Sequence, residues 1–245
     1  AVVEFEMLDD EDRVLIGLSG GKDSLFLTYA LAMLKARFNK KFHLGAFTLD
    51  PKFGGEFPAE KLQVFCEDLG IPWEMREADI GSIIDEQGGK KACFTCSYFR
   101  RGAVNRYAKE HGYNKIAYAH HHDDAVETFF MSLLYSGQLT VFQPVTYLDR
   151  MDLTVIRPLI YFRESEIIEA TALHGFTPLK SPCPLDGNTT RQEVKELIQN
   201  LSANNPQLYP HLAAAMREDS LGELWSKEKT RAEMKDSYLR FARSK

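Results

Sequence analysis

Arg13-Val-Leu-Ile-Gly-Leu-Ser-Gly-Gly-Lys-Asp-Ser24 is the stretch on which the reading of the fold turns. A short apolar run that stops at a Ser-Gly-Gly turn predicts a strand buried on both faces, over residues 13–18. Leu25, Leu27, Leu31, Met33 and Leu34 then recur at helical spacing, which predicts a helix over residues 24–37, its first turn near Lys22. Gly20 and Gly21 allow the tight turn between them and let backbone N–H groups approach an anion. The helix start adds its positive dipole end. Ser19 and Ser24 can donate from their hydroxyls, Lys22 supplies charge to a polyphosphate, and Asp23 can hold Mg2+ or brace the loop. The spacing differs from the Gly-x-x-x-x-Gly-Lys-Ser/Thr loop of many nucleotide hydrolases. A bare Gly-Gly turn would need no ligand, but these six residues between a strand and a helix predict one.

Working outward, strand and helix signals alternate. Strands are predicted over residues 42–49, 73–77 and 115–119, and helices over 58–69, 97–111 and 124–135. That alternation predicts an α/β fold, a parallel sheet with helices on both faces, whose ligands sit at the carboxyl ends of the strands. Beyond Val155-Ile-Arg157-Pro158 the pattern changes to a helix over 163–174, a Pro-rich loop and further helix. The expected division is a nucleotide-binding domain over 1–160 and a C-terminal helical extension over 161–245.

Composition narrows the class. With 44% hydrophobic and 27% charged residues the chain reads as an ordinary globular protein. No apolar run approaches the roughly 18–20 residues of a membrane span, so no membrane partner is expected. Ala1-Val-Val-Glu-Phe-Glu6 is too acidic for a secretory leader. Four cysteines in 245 residues do not suggest a disulfide framework, and a cytoplasmic location is expected. A net charge of −5 argues against gripping nucleic acid by bulk electrostatics. The tail is the exception: Lys227, Lys229, Arg231, Lys235, Arg240, Arg243 and Lys245 outweigh Glu228, Glu233 and Asp236. It can neutralise phosphates locally or form a solvated helix face.

Two further groups of residues carry chemistry. Cys93-Phe-Thr-Cys96 has the spacing of a metal clip, and Cys183, held between Pro182 and Pro184, is its candidate partner. Cys66 falls in an amphipathic helix and reads as core. From spacing alone, three thiolates on a cubane iron–sulfur cluster and zinc with a histidine as fourth ligand stand level. His120-His-His-Asp-Asp124 crowds polar groups at a strand end, ahead of Glu127 and Thr128. Asp123 or Asp124 could cap the next helix, yet five such residues exceed what a cap needs. Arg100, one helical turn beyond Cys96, can stabilise developing negative charge or make a surface ion pair.

Taken in order, Ser19–Ser24, Cys93-x-x-Cys96 with Arg100-Arg101-Gly102, His120–Asp124, Ile156-Arg-Pro-Leu159 and the Cys183 loop resemble the tRNA 2-thiocytidine synthetases. These are PP-loop ATP pyrophosphatases of the adenine-nucleotide α-hydrolase type. The resemblance implies ATP, Mg2+ and a 4Fe–4S cluster as cofactors, and the tRNA anticodon loop as partner. It implies adenylation of a cytidine and replacement of its 2-oxygen by sulfur, with sulfide or a cysteine desulfurase as donor, in a homodimer. Carried over by motif, Cys93, Cys96 and Cys183 ligate the cluster. Asp123, Arg100 and Lys22 are catalytic or position ATP. Ser19, Gly20, Gly21, Lys22, Asp23 and Ser24 bind its phosphates, and Phe47 and Thr48 lie beside the adenine. Arg100, Arg101, Arg106 and the tail are candidates for tRNA phosphates. Ala119 stands where a glycine is usual, and Asp186 where a further cysteine is common, which makes Asp186 a candidate for the fourth iron. A tRNA lysidine synthetase shares the loop and a similar histidine–aspartate turn but needs no clustered cysteines. A zinc-stabilised tRNA-binding module without catalysis is the reading from another class.

Overall fold

A computed structural model describes residues 1–54, 57–86, 92–180, 183–185, 187, 189–217 and 230–243, with side chains as far as 239. Lys227, Lys229, Lys245, Asp186 and Pro182 lie outside the described residues, as do the side chains of Arg240 and Arg243.

Six strands form one sheet in the order β3-β2-β1-β4-β6-β5. β1 (Arg13–Gly17) lies at its centre, parallel to β2 (His43–Asp50) and β4 (Lys115–Ala117). β3 (Trp73–Glu77) extends the parallel set beyond β2, and β6 (Leu153–Ile156) extends it beyond β4. Only β5 (Val145–Leu148) runs antiparallel, as the edge partner of β6. The expected parallel sheet is therefore mostly parallel, with one hairpin at its margin.

Alternation along the central strands divides the core into two layers, as a period-two backbone must. Val14, Ile16, Leu44 and Ala46 face α1 (Lys22–Arg37), α2 (Ala59–Asp68) and α6 (Glu164–Leu173), meeting Leu27, Leu31, Leu62 and Ile167. Leu15, Phe47, Leu49, Ile116 and Val155 face α3 (Ile80–Glu86) and α4 (Ala92–Glu110), meeting Ile80, Val104, Tyr107 and Ala108. Helices thus cover both faces. α5 (His122–Ser136) leaves the end of β4 and packs against α7 (Thr190–Ala203) and α8 (Leu208–Ala215) through Val126, Val194 and Ile198. α9 (Arg231–Arg243) closes the described chain.

Two differences from the sequence reading move functional residues. α4 begins at Ala92 rather than near Ser97, so both cysteines of the clip sit in its first turns. α5 begins at His122, with His121 as N-cap, not Asp123 or Asp124. The His121 ring accepts from the Asp124 amide at 3.4 Å, and Asp124 accepts from the His121 amide at 3.0 Å, the reciprocal pattern of a capping box.

Gly45, inside β2, shows how tightly the second layer is packed. A Cβ there would lie 2.0 Å from the Tyr113 hydroxyl oxygen and 2.7 Å from its ring. Gly45→Ala is expected to cost about 1–3 kcal/mol by overpacking. Urea unfolding would read this as a lowered midpoint at constant slope; an unchanged midpoint would contradict the packing described.

Candidate active site

The carboxyl edge of the sheet gathers most of the chemistry-bearing residues. Gly20 takes φ +85°, a conformation glycine adopts at little cost, and a Cβ there would lie 2.6 Å from Leu179 Cδ1. The Leu179 amide donates to the Gly20 carbonyl at 2.9 Å, so the segment leading to Cys183 is pinned to the phosphate loop. Within the loop, Ser24 Oγ donates to the Gly21 carbonyl at 2.9 Å and Ser19 Oγ lies 3.1 Å from Ser24 Oγ. Lys22 Nζ sits 3.1 Å from Asp23 and 3.0 Å from Glu164. Burial works against its ammonium, but the two carboxylates outweigh it and hold the pKa above the usual lysine value. Asp23 Oδ1 is buried and, among the described residues, without a hydrogen-bond partner. A carboxylate oxygen in that state suits a hard cation.

Phe47 and Thr48 turn their side chains inward. Phe47 is buried and stacked on Tyr107, with ring centroids 4.4 Å apart. Thr48 is buried as well; its hydroxyl donates to the Leu18 carbonyl at 2.6 Å and accepts from the Trp73 indole at 2.9 Å. Both side chains are committed to the core and to the entry of the loop.

Opposite the loop stands the histidine–aspartate turn. His121 Nε2 lies 3.7 Å from Asp23 and 3.5 Å from Asp124, linking the loop to α5. Asp123 is buried and grips Arg163 with both oxygens, at 3.0 and 3.1 Å, while accepting from the Glu164 amide at 2.8 Å. Burial alone would raise its pKa; Arg163 and the amide outweigh that and hold the carboxyl below its ordinary range. Arg163 in turn lies over the Tyr209 ring, 3.2 Å from its centroid. Glu164 reaches Lys22 with one oxygen and Lys195 with the other, at 2.6 Å. Arg191 bridges Asp124 and Glu127, both at 3.1 Å. Burial lifts the Glu127 carboxyl above its usual value despite Arg191.

Sequence reasoning missed Arg163, Glu164, Arg191, Lys195 and Tyr209. A basic or acidic residue in the first turns of a surface helix carries no local sign of a partner dozens of residues away. The only available hint was the unusual density of acids after β4, which requires cations from somewhere.

The thiols of Cys93, Cys96 and Cys183 share one neighbourhood. Burial pushes the Cys96 thiol up; the Arg100 guanidinium opposes this, while nearby Cys183 and Cys93 push it further. Cys93 is exposed and Cys183 half-buried. Arg100 therefore faces the thiol site, and among the described residues it pairs with no carboxylate. Among the described residues no group of three or more His, Cys, Asp or Glu side chains closes on a single point as one metal ion would require. Thiols that ligate separate irons of a cluster need not do so. Cys66 is buried far from this chemistry in α2, its thiol pushed up to about 12 by burial.

A parallel sheet whose first strand opens into this loop defines the PP-loop class, and the family model described as "PP-loop domain" matches residues 2–201. The tRNA-cytidine(32) 2-sulfurtransferase of Dechloromonas aromatica is 39% identical over 222 residues, covering 89% of this chain and 76% of the relative. Its counterpart in Coxiella burnetii is 38% identical over 221 residues, covering 88% and 85%. Among solved structures, the U34-tRNA thiolase of Methanococcus maripaludis, with its 4Fe–4S cluster, matches with a TM-score of 0.71 and 25% identity. That match covers 91% of this chain and 76% of the thiolase. The chain belongs to the PP-loop family and, within it, to the tRNA-cytidine(32) 2-sulfurtransferases.

Asp123 supplies a test of the geometry. Its folded-state pKa is depressed, so its contribution is complete above the unfolded carboxylate pKa of about 3.9 and is lost only as pH falls through the lower folded value. Asp123→Asn should therefore cost about 1.5–3 kcal/mol at pH 7, constant down to about pH 4, and the cost should shrink only below that. Unfolding free energies measured at several pH values would show it. A cost that already fades between pH 7 and 5 would place another group in charge.

Proposed function

We propose that this chain is an ATP-dependent tRNA thiolase that activates the 2-oxygen of cytidine 32 by adenylation and exchanges it for sulfur. The observation that supports the reading is the Leu179–Gly20 contact, which anchors the chain at the phosphate loop four residues before Cys183.

The chain's residues divide the work as follows. Loop N–H groups with Ser19, Gly20, Gly21 and Ser24 receive the ATP phosphates, and Lys22 turns its ammonium from Asp23 and Glu164 to the departing pyrophosphate. Asp23, whose Oδ1 has no hydrogen-bond partner among the described residues, would hold Mg2+, which would supply charge to the phosphates. The cytosine 2-oxygen attacks the α-phosphorus; a new P–O bond forms, and the bond to pyrophosphate breaks with its electron pair leaving on that product. A sulfur nucleophile at the sulfide level then adds to C2, and AMP departs with the C–O electron pair, so the exchange is redox-neutral. Asp123 is a positioning residue: through Arg163 and the Glu164 amide it fixes the carboxylate that meets Lys22. Arg100 opposes the burial that raises the Cys96 pKa.

The three thiols in one neighbourhood, with Arg100 against them, fit a 4Fe–4S cluster bound by Cys93, Cys96 and Cys183. Bound there, such a cluster supplies a Lewis-acidic iron able to carry sulfide. A cysteine desulfurase or free sulfide as donor, the homodimer, and division into units 1–160 and 161–245 belong to the same reading and rest on resemblance and sequence pattern.

Two measurements test it. Pyrophosphate release from ATP should depend on substrate tRNA; release that ignores tRNA, or none at all, would contradict the assignment. Cys183→Ala should abolish sulfur incorporation, to below about one part in a hundred, while leaving ATP affinity within about twofold, since uniform ATP binding does not involve the thiol. Loss of both together would make Cys183 a folding residue.

A further inference from the structure

One strand over from the phosphate loop, on the side of β4 and β6, Tyr118 and Arg157 form a cationic cluster that the catalytic roles above do not use. Tyr118 follows β4 and Arg157 follows β6, and the strand ends are stitched together by the Tyr118 amide donating to the Ile156 carbonyl at 3.0 Å. Tyr118 packs over Gly17 at the end of β1, where a Cβ would lie 2.9 Å from its ring. Arg157 is held rigidly: Nη1 donates to the Gln143 carbonyl at 2.5 Å and to Thr146 Oγ1 at 3.1 Å, and the guanidinium lies 4.9 Å from the centroid of Phe142. His120 closes the wall, 5.1 Å from Phe142 and 5.9 Å from Tyr118, ring centre to ring centre.

The polar atoms of this wall are unmet. The Tyr118 hydroxyl, Arg157 Nε and His120 Nδ1 are all buried without a hydrogen-bond partner among the described residues. Each such donor or acceptor is costly to leave buried until something meets it. The charge is unmet too. Arg100, Arg101 and Arg157 all bear on the Tyr118 hydroxyl, yet among the described residues none of the three pairs with a carboxylate. Burial, with Arg101 beside it, drags the Arg157 pKa down, and burial drives His120 to about 4, leaving its ring neutral. A rigid, desolvated guanidinium group, a phenol donor and an exposed arginine at the rim, with no paired anion among the described residues, are complementary to a tetrahedral oxyanion.

We propose that Tyr118, Arg157 and Arg101 form the seat for a phosphodiester of the substrate RNA, next to the nucleotide whose base enters the active site. The inference rests on the tRNA-thiolase reading and deepens it. ATP phosphates already have the loop and Lys22, on the β1 side, whereas this cluster lies on the side left for the acceptor. Arg101 is exposed at its rim, where a strand arriving from solvent passes first. Phosphate contacts of this kind fix register rather than read sequence.

The test is equilibrium binding of substrate tRNA to the full chain, without ATP, over about 50–300 mM KCl. Arg157→Gln should weaken binding roughly tenfold and reduce the magnitude of the salt slope by about one. Tyr118→Phe, which removes only the hydroxyl, should weaken it about 2- to 10-fold with the salt slope kept, and decides the matter if Arg157→Gln does not fold. ATP affinity and iron content should be unchanged in both. Unaltered tRNA affinity and slope would overturn the proposal, as would weaker ATP or pyrophosphate binding with tRNA binding intact, which would give the cluster to the nucleotide's phosphates. If the wild-type chain binds no tRNA, the thiolase reading fails and takes this one with it; wild-type binding with indifferent variants removes this one alone.

Discussion

The hydrogen bond from the Leu179 amide to the Gly20 carbonyl, with the Leu179 side chain closed over the glycine, is the constraint on which the site depends. It requires glycine at position 20, because both the positive φ and the contact exclude a Cβ. It also fixes where the following residues go. Leu179 lies four residues before Cys183, so the contact anchors the near end of the stretch that carries that thiol. A single main-chain contact is weak by itself, so the docking is reinforced by charge. Glu164 between Lys22 and Lys195, Asp123 on Arg163, and Arg191 across Asp124 and Glu127 tie α6 and α7 to α1 and α5.

These ion pairs have a second consequence. In the free protein Lys22 is held by two carboxylates, and the Ser19 and Ser24 hydroxyls are spent on the loop itself. The loop is thus preformed, and the arrival of polyphosphate exchanges partners rather than ordering a chain. Preorganised donors of this kind stabilise charge that develops on a leaving group without reorganising at the moment of reaction. Partly buried pairs also cost desolvation, which argues that their value here lies in placement more than in stability.

Much of this was legible in the sequence. The run 13–18 and the loop after it identify the central strand and its ligand end, because a buried parallel strand and a glycine turn have strong local signatures. The strands read over 42–49, 73–77 and 115–119 supplied β2, β3 and β4 beside it. The hairpin of β5 and β6 was not read, since Val145–Leu148 is short, at the edge and only half-buried, and offers little pattern. The start of α4 was misplaced by several residues because Cys93, Phe94, Thr95 and Cys96 are all indifferent helix formers; tertiary packing of Thr95 and Val104 decides there. His121 was overlooked as a cap because histidine is rarely one; its partnership with Asp124 shows only in three dimensions. The partners of Asp123 lay beyond sequence reasoning altogether, being some 40 residues away in the chain.

The account stands or falls on whether the three thiols hold one inorganic centre. Anaerobic purification followed by iron and acid-labile sulfide counting, with the visible spectrum, addresses it directly. The account predicts a brown protein with about four irons and four sulfides per chain. A colourless protein that carries stoichiometric zinc and no iron would contradict it.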